Sequence, residues 1–163
     1  MPKTVLITFV VSSLLFINLS TSALALDHTL ITKQELKSSG FGEYESINPN
    51  LLIFPFKRIS ETVGLGLTFD KKSKIQYQYN LLNKRYKELV FIINFQKTGF
   101  LRESVNRYNS LLGKLILISK DDAPKEKLPI YINVLKNLQD RYNNESAYRL
   151  LIQEAIDSTR RLI

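Results

Sequence analysis

KIQYQYNLLNKRYKELVFII, residues 74–93, decides the fold of this chain. Ile75, Tyr79, Leu82, Tyr86, Leu89 and Ile93 recur at spacings of 4, 3, 4, 3 and 4. That is a seven-residue seam, which keeps one face of an α-helix apolar over nearly three heptads. The helix is expected from about Lys71 to Thr98, ending at Gly99. At 1.5 Å per residue it measures roughly 40 Å. Its last part, Leu89-Val90-Phe91-Ile92-Ile93, is apolar all round and so calls for burial on several sides.

The same rhythm continues outward. Leu101, Val105, Tyr108, Leu112 and Leu115 form a second seam, and Gly99 between the two predicts an antiparallel pair. Ser119–Lys127 is charged and contains Pro124, so it reads as a loop. Leu128, Tyr131, Leu135, Leu138 and Tyr142 form a third seam, with Pro129 tolerable in a first turn. Asn143-Asn144 breaks it. Asn144 or Ser146 then caps a last helix that places Leu151, Ala155 and Leu162 on one face. Upstream, Pro55 suits the first turn of another helix, with Phe56, Ile59 and Val63 on one face. Phe54 and Phe56 are expected to pack on the start of the long helix. Gly64 and Gly66 weaken this helix towards Leu67, and Thr68 or Asp70 caps the next. No useful strand-like alternation occurs. The expected fold is all-α, an antiparallel bundle of about five helices over residues 50–163.

Two segments precede the bundle. Lys3 is followed by an uncharged run, Thr4–Leu26, that closes with Ala23-Leu24-Ala25. A basic start, an apolar stretch and a small-x-small site make a secretory signal peptide over residues 1–25, cut after Ala25. The alternative is an uncleaved N-terminal anchor, since the uncharged run just reaches the roughly 20 residues a bilayer needs. The mature domain is therefore expected outside the cytoplasm, secreted or at the cell envelope. Residues 26–49 read as a flexible linker broken by Ser38-Ser39-Gly40, Gly42 and Asn48-Pro49-Asn50. A short helix near Ile31–Lys37, capped by Thr32 with Glu35 three residues on, is compatible with it.

Composition excludes more than it assigns. The chain has 163 residues, a formal charge of +8, one histidine and no cysteine. Without cysteine there is no lipoprotein thioether and no disulfide, so the core alone must hold the domain. The single His28 supports neither a zinc site nor a buried triad, and no cofactor is expected. Gly64-Leu65-Gly66 lacks the third glycine and the strand of a phosphate loop. Asp121-Asp122 reads as a turn rather than a carboxylate pair for catalysis or calcium. No motif singles out a Ser–Lys dyad.

The basic residues are the candidate site. Lys71, Lys72 and Lys74 stand in the first turns of the long helix, where its dipole disfavours cations. Lys57 and Arg58 are near in sequence. These five are the candidate anion- or partner-binding residues. Outside the cytoplasm a basic surface meets lipid headgroups, anionic polymers or an envelope protein rather than nucleic acid. Self-association through a leftover seam is a further expectation. The tyrosines mostly fall on or beside seams, which points to packing rather than base stacking.

One block of the chain has a likeness elsewhere. Asn50-Leu51-Leu52-Ile53-Phe54-Pro55-Phe56-Lys57-Arg58, then Glu61, then Leu67-Thr68-Phe69-Asp70, resembles a family of uncharacterised bacterial domains that are exported or membrane-attached. Leu82, Arg85 and Glu88 match that family's Leu–Ala–x–x–Arg–x–x–Glu helix, with Asn83 in place of alanine. Val134-Leu135 matches a later phrase, while Phe91, Ile92 and Phe95 replace an alanine-rich stretch. The likeness covers about residues 50–160. It implies a helical fold and an envelope location, and it carries no activity.

The leading expectation is thus a non-enzymatic, exported helical domain that binds a partner at the envelope. A chaperone or adaptor with an apolar groove at Phe91 and Phe95 is the alternative. An enzyme is the second alternative and requires Glu61, Glu88 and Glu103 to converge in a deep pocket.

Overall fold

The computed structural model describes residues 30–49, 51–119 and 125–163. The expected signal peptide, His28, Asn50, Asp121-Asp122 and Pro124 lie outside the described residues. The described part is all-helical, with six α-helices and no strand. They are α1 (Lys33–Ser38), α2 (Phe54–Gly66), α3 (Lys71–Asn94), α4 (Leu101–Ser119), α5 (Leu128–Gln139) and α6 (Ala147–Arg160). Single 3-10 turns at Thr98–Phe100 and Lys125–Lys127 lead into α4 and α5.

Helices α3 to α6 form the core. Every member of the three seams is buried, and Leu89, Leu112, Leu115 and Leu135 are fully enclosed. A short connection folds α4 back along α3. Tyr131 on α5 donates to Asn83 Oδ1 (2.9 Å), and Tyr142 just beyond α5 donates to the Ile93 carbonyl (2.9 Å). So α5 follows the direction of α3. Gln139 Nε2 donates to the Arg149 carbonyl (3.1 Å), which closes the α5–α6 hairpin. The four helices therefore alternate in direction, as short antiparallel connections require. Tyr86 and Tyr131 stack across α3 and α5 with ring centroids 3.8 Å apart.

Helix ends follow local chemistry. Asp70 Oδ2 accepts from the Ser73 amide (2.8 Å) at the start of α3, and Ser146 caps α6. Helix α3 stops at Asn94, short of the expected Gly99. The Lys97 amide bonds to the Ile92 carbonyl (2.9 Å) and the Gln96 amide to that of Ile93 (3.3 Å). This is a Schellman closure, with Gln96 in the left-handed region at φ 51°. The backbone ends the helix there without a glycine, which periodicity does not reveal. On α6 the buried face is Ile152, Ala155, Ile156 and Thr159, and Leu151 is only half-buried.

From Leu30 onward, the stretch expected as a flexible linker packs on the core. Thr32 and Glu35 form a capping box on α1. Gly40, at φ +84°, ends that helix in the left-handed conformation glycine favours, and a Cβ there would meet Ile130 Cγ2 at 2.9 Å. The turn sends Leu36 and Phe41 into the core, with Phe41 edge-on to Tyr86. Asn94 holds the segment from below. Its Oδ1 accepts from the Ile31 amide (2.9 Å), and its Nδ2 donates to the Ile31 carbonyl (3.1 Å) and to Tyr44 Oη (2.8 Å). Asn94→Ala leaves the buried backbone groups of Ile31 unpaired, at about 1–3 kcal/mol. Limited proteolysis should then cut at Lys33 and Lys37 well before the bundle melts. Unchanged cleavage kinetics would show that the Asn94 contacts do not hold this segment.

Candidate functional site

Helix α2 is turned inside out. Its apolar positions Phe56, Ile59 and Val63 do share a face, as their spacing predicts, but that face points to solvent. Phe56 is 72% exposed, Leu52 before it 96%, and Phe69 in the following corner 90%. Ile53 and Leu67 are also exposed, so the stripe runs the length of the helix. Of the two phenylalanines expected to pack inward, Phe54 does, lying under the Arg107 guanidinium at 5.2 Å, and Phe56 does not.

What α2 buries is charge. The Lys57 side chain is 7% exposed, and its Nζ donates to Glu88 Oε1 (2.7 Å) and to the Ile47 carbonyl (2.9 Å). It also lies 3.4 Å from Glu45. Arg85 on α3 bridges Glu88 Oε1 (2.7 Å) and Glu61 Oε2. Arg58 reaches the same Glu61 oxygen at 3.2 Å. The cluster therefore pairs Lys57, Arg58 and Arg85 with Glu45, Glu61 and Glu88. Dehydration raises the carboxyls of both Glu61 and Glu88 above the usual range, and outweighs the downward pull of Lys57 on each. Gly64 lets the two helices approach: a Cβ there would clash with Tyr77 Oη, and that hydroxyl donates to the Glu61 carbonyl (3.1 Å).

Glu61 and Glu88 thus do come together, but as anchors for guanidinium and ammonium groups. Glu61 lines a cleft of about 380 Å³ between α2, α3 and α4. Glu103 sits exposed on its rim, paired with Arg107, and Glu88 lies outside the lining. Among the described residues no three metal-ligating side chains gather.

The five candidate basic residues separate into two groups. Lys57 belongs to the buried cluster, and Arg58 is half-exposed and tied to Glu61. Lys71, Lys72 and Lys74 are exposed at the α2–α3 corner, with no ion pair among the described residues. Lys71 and Lys74 line an open depression of about 360 Å³ together with Lys114, Leu117 and Ile118 from the end of α4. Lys72 lies on the other flank, near Thr68 and Tyr77. Lys114 and Leu117 were not legible as site residues. They are 40 to 46 residues from Lys71 and Lys74 in sequence, and only the antiparallel return of α4 brings them to this end. Leu117 is 87% exposed and falls off the α4 seam, which was the one available signal.

Phe91 is half-buried and Phe95 is exposed, and both belong to an aromatic cluster with Tyr44. Their rings lie 4.8 Å apart, and Tyr44 packs edge-on against each, at 5.8 and 5.5 Å. Among the described residues no helix is long and apolar enough to cross a membrane. Comparison with family models, curated proteins and solved structures finds no match for this chain.

Proposed function

We propose that this protein is an exported, non-enzymatic helical module that docks on an anionic surface at the cell envelope through its α2–α3 corner. One observation carries the reading: Lys71, Lys74 and Lys114 share a depression with exposed Leu117 and Ile118, with Lys72 exposed on the opposite flank of the same helix end. Lysines against a helix dipole are kept at a stability cost, and here nothing acidic among the described residues offsets them beyond the cap of Asp70. A large exposed apolar side chain next to unpaired cations suits an interface with negative charge and adjoining apolar material. The carboxylates that a catalyst would need are engaged by Arg58, Arg85 and Lys57. The likeness of residues 50–160 to envelope domains agrees with the same location.

The chain starting at Leu26, the expected mature form, carries all the core side chains found among the described residues. Its retention on anionic vesicles and on a polyanionic polymer, against neutral vesicles, tests the proposal. Replacing Lys71, Lys72 and Lys74 together by Gln should weaken retention by roughly two orders of magnitude, from about 1 kcal/mol per lysine at a charged surface. The melting temperature should hold or rise slightly, because the dipole clash is relieved. Equal retention of the triple variant and the parent would refute the docking site.

A further inference from the structure

Helix α2 keeps its apolar stripe outside for a reason its underside supplies. Rotating the helix to bury Phe56, Ile59 and Val63 would pull Lys57 and Glu61 out of their ion pairs and into the open. The outward stripe is therefore a fixed feature of the fold. It extends from Leu52 to Leu67 and leads directly into Phe69 and the lysines at 71, 72 and 74.

We infer that α2 is an interfacial helix: its outer face lies in the plane of a lipid bilayer with anionic headgroups, while its charged face stays bolted to the bundle. The inference rests on the anionic docking reading and names the surface. Charge complementarity along the helix favours the bilayer. The only acidic residue in α2 is Glu61, and Glu61 is buried on the opposite side. The outer face consists of Phe56, Ile59 and Val63 with uncharged Ser60 and Thr62 beside them. An apolar stripe without an exposed carboxylate, ending in cations, is the pattern of helices that lie at the headgroup boundary. A polymer of charge alone would use the lysines and leave the stripe in water.

The chain contains no tryptophan, so a single one is a clean reporter. Phe56→Trp in the chain starting at Leu26 should shift its emission to the blue on vesicles containing anionic lipid. Bromine on the acyl chains should quench it. Leu150→Trp, exposed on α6, should do neither. Phe56→Ser with Val63→Ser should lower vesicle affinity by roughly tenfold or more per side chain. Retention on vesicles with a silent Phe56→Trp would overturn the interfacial helix and leave corner docking intact. So would retention on the polymer alone. A blue-shifted reporter without vesicles, with light scattering at twice the chain mass, would assign the face to a second copy instead. Indifference to vesicles and polymer alike would remove the docking reading itself.

Discussion

Arg85→Ala should destabilise the domain by about 3–5 kcal/mol, the usual cost of leaving buried charge without its partner. Arg85 is 4% exposed and holds Glu61 on α2 and Glu88 on α3 at once. Without it Glu88 keeps Lys57 alone and Glu61 keeps the half-exposed Arg58. Against a total stability of about 5–15 kcal/mol for a domain, that loss is severe. Helix α2 should be the first element to go, since Phe54 is its one buried apolar side chain and the rest of its attachment is polar and ionic. Denaturant unfolding followed by circular dichroism measures the loss, and proteolysis after Lys57 or Arg58 reports α2. Combining Arg85→Met with Glu61→Gln should recover much of it, because Glu88 keeps Lys57 and the half-exposed Arg58 reaches water. A cost below about 1 kcal/mol for Arg85→Ala would mean that water reaches the cluster and does the work assigned to the guanidinium.

Alkaline pH should unfold the protein steeply. Burial pushes the phenols of Tyr86 and Tyr108 well above their usual 10, and those of Tyr131 and Tyr142 up to about 12. The folded state therefore keeps these protons at a pH where the unfolded chain has released them. The stabilisation is complete below pH 10 and falls as pH climbs from there towards the folded values. Each phenol costs about 1.4 kcal/mol per pH unit in that window, so Tyr86 and Tyr108 alone remove about 3 kcal/mol per unit. Tyr86 has no partner for its hydroxyl among the described residues, and Tyr108 shares a hydrogen bond of 2.8 Å with Thr159. Neither site can accommodate a phenolate without water. Tyrosinate absorbance and helix content should change together in one cooperative step above pH 10. Gradual ionisation near pH 10 with helix content intact would contradict the enclosed packing of the α3–α4–α5 interface.

Much of this molecule was readable before any coordinates. The three seams were right residue by residue, because a side chain on a seven-residue repeat has no other way to avoid water than to meet another stripe. The caps at Thr32, Asp70 and Ser146 were readable for the same local reason: an unpaired amide takes the nearest oxygen. The stop of α3 was misplaced, since a Schellman turn with glutamine in the left-handed region has no composition signal. The N-terminal segment packs where its composition reads as a linker. Its glycine and serines suggested a break, whereas Gly40 makes the turn that docks Phe41. The candidate site was half legible. Lys71, Lys72 and Lys74 are all exposed at the start of α3, with Lys72 on the other flank, and Lys57 is buried away from them.

Spacing along the chain thus established the helices, their order and the side chains of the central core, for these depend on neighbours three and four residues apart. The direction in which α2 faces was settled in three dimensions. Periodicity finds an apolar stripe and assigns it inward, and only the distant carboxylate of Glu88 and guanidinium of Arg85 reverse that choice. Ion pairs between residues 24 to 31 positions apart exist only once the chain has folded. They turn the oily side of α2 outward, and with it the surface on which the proposed function rests.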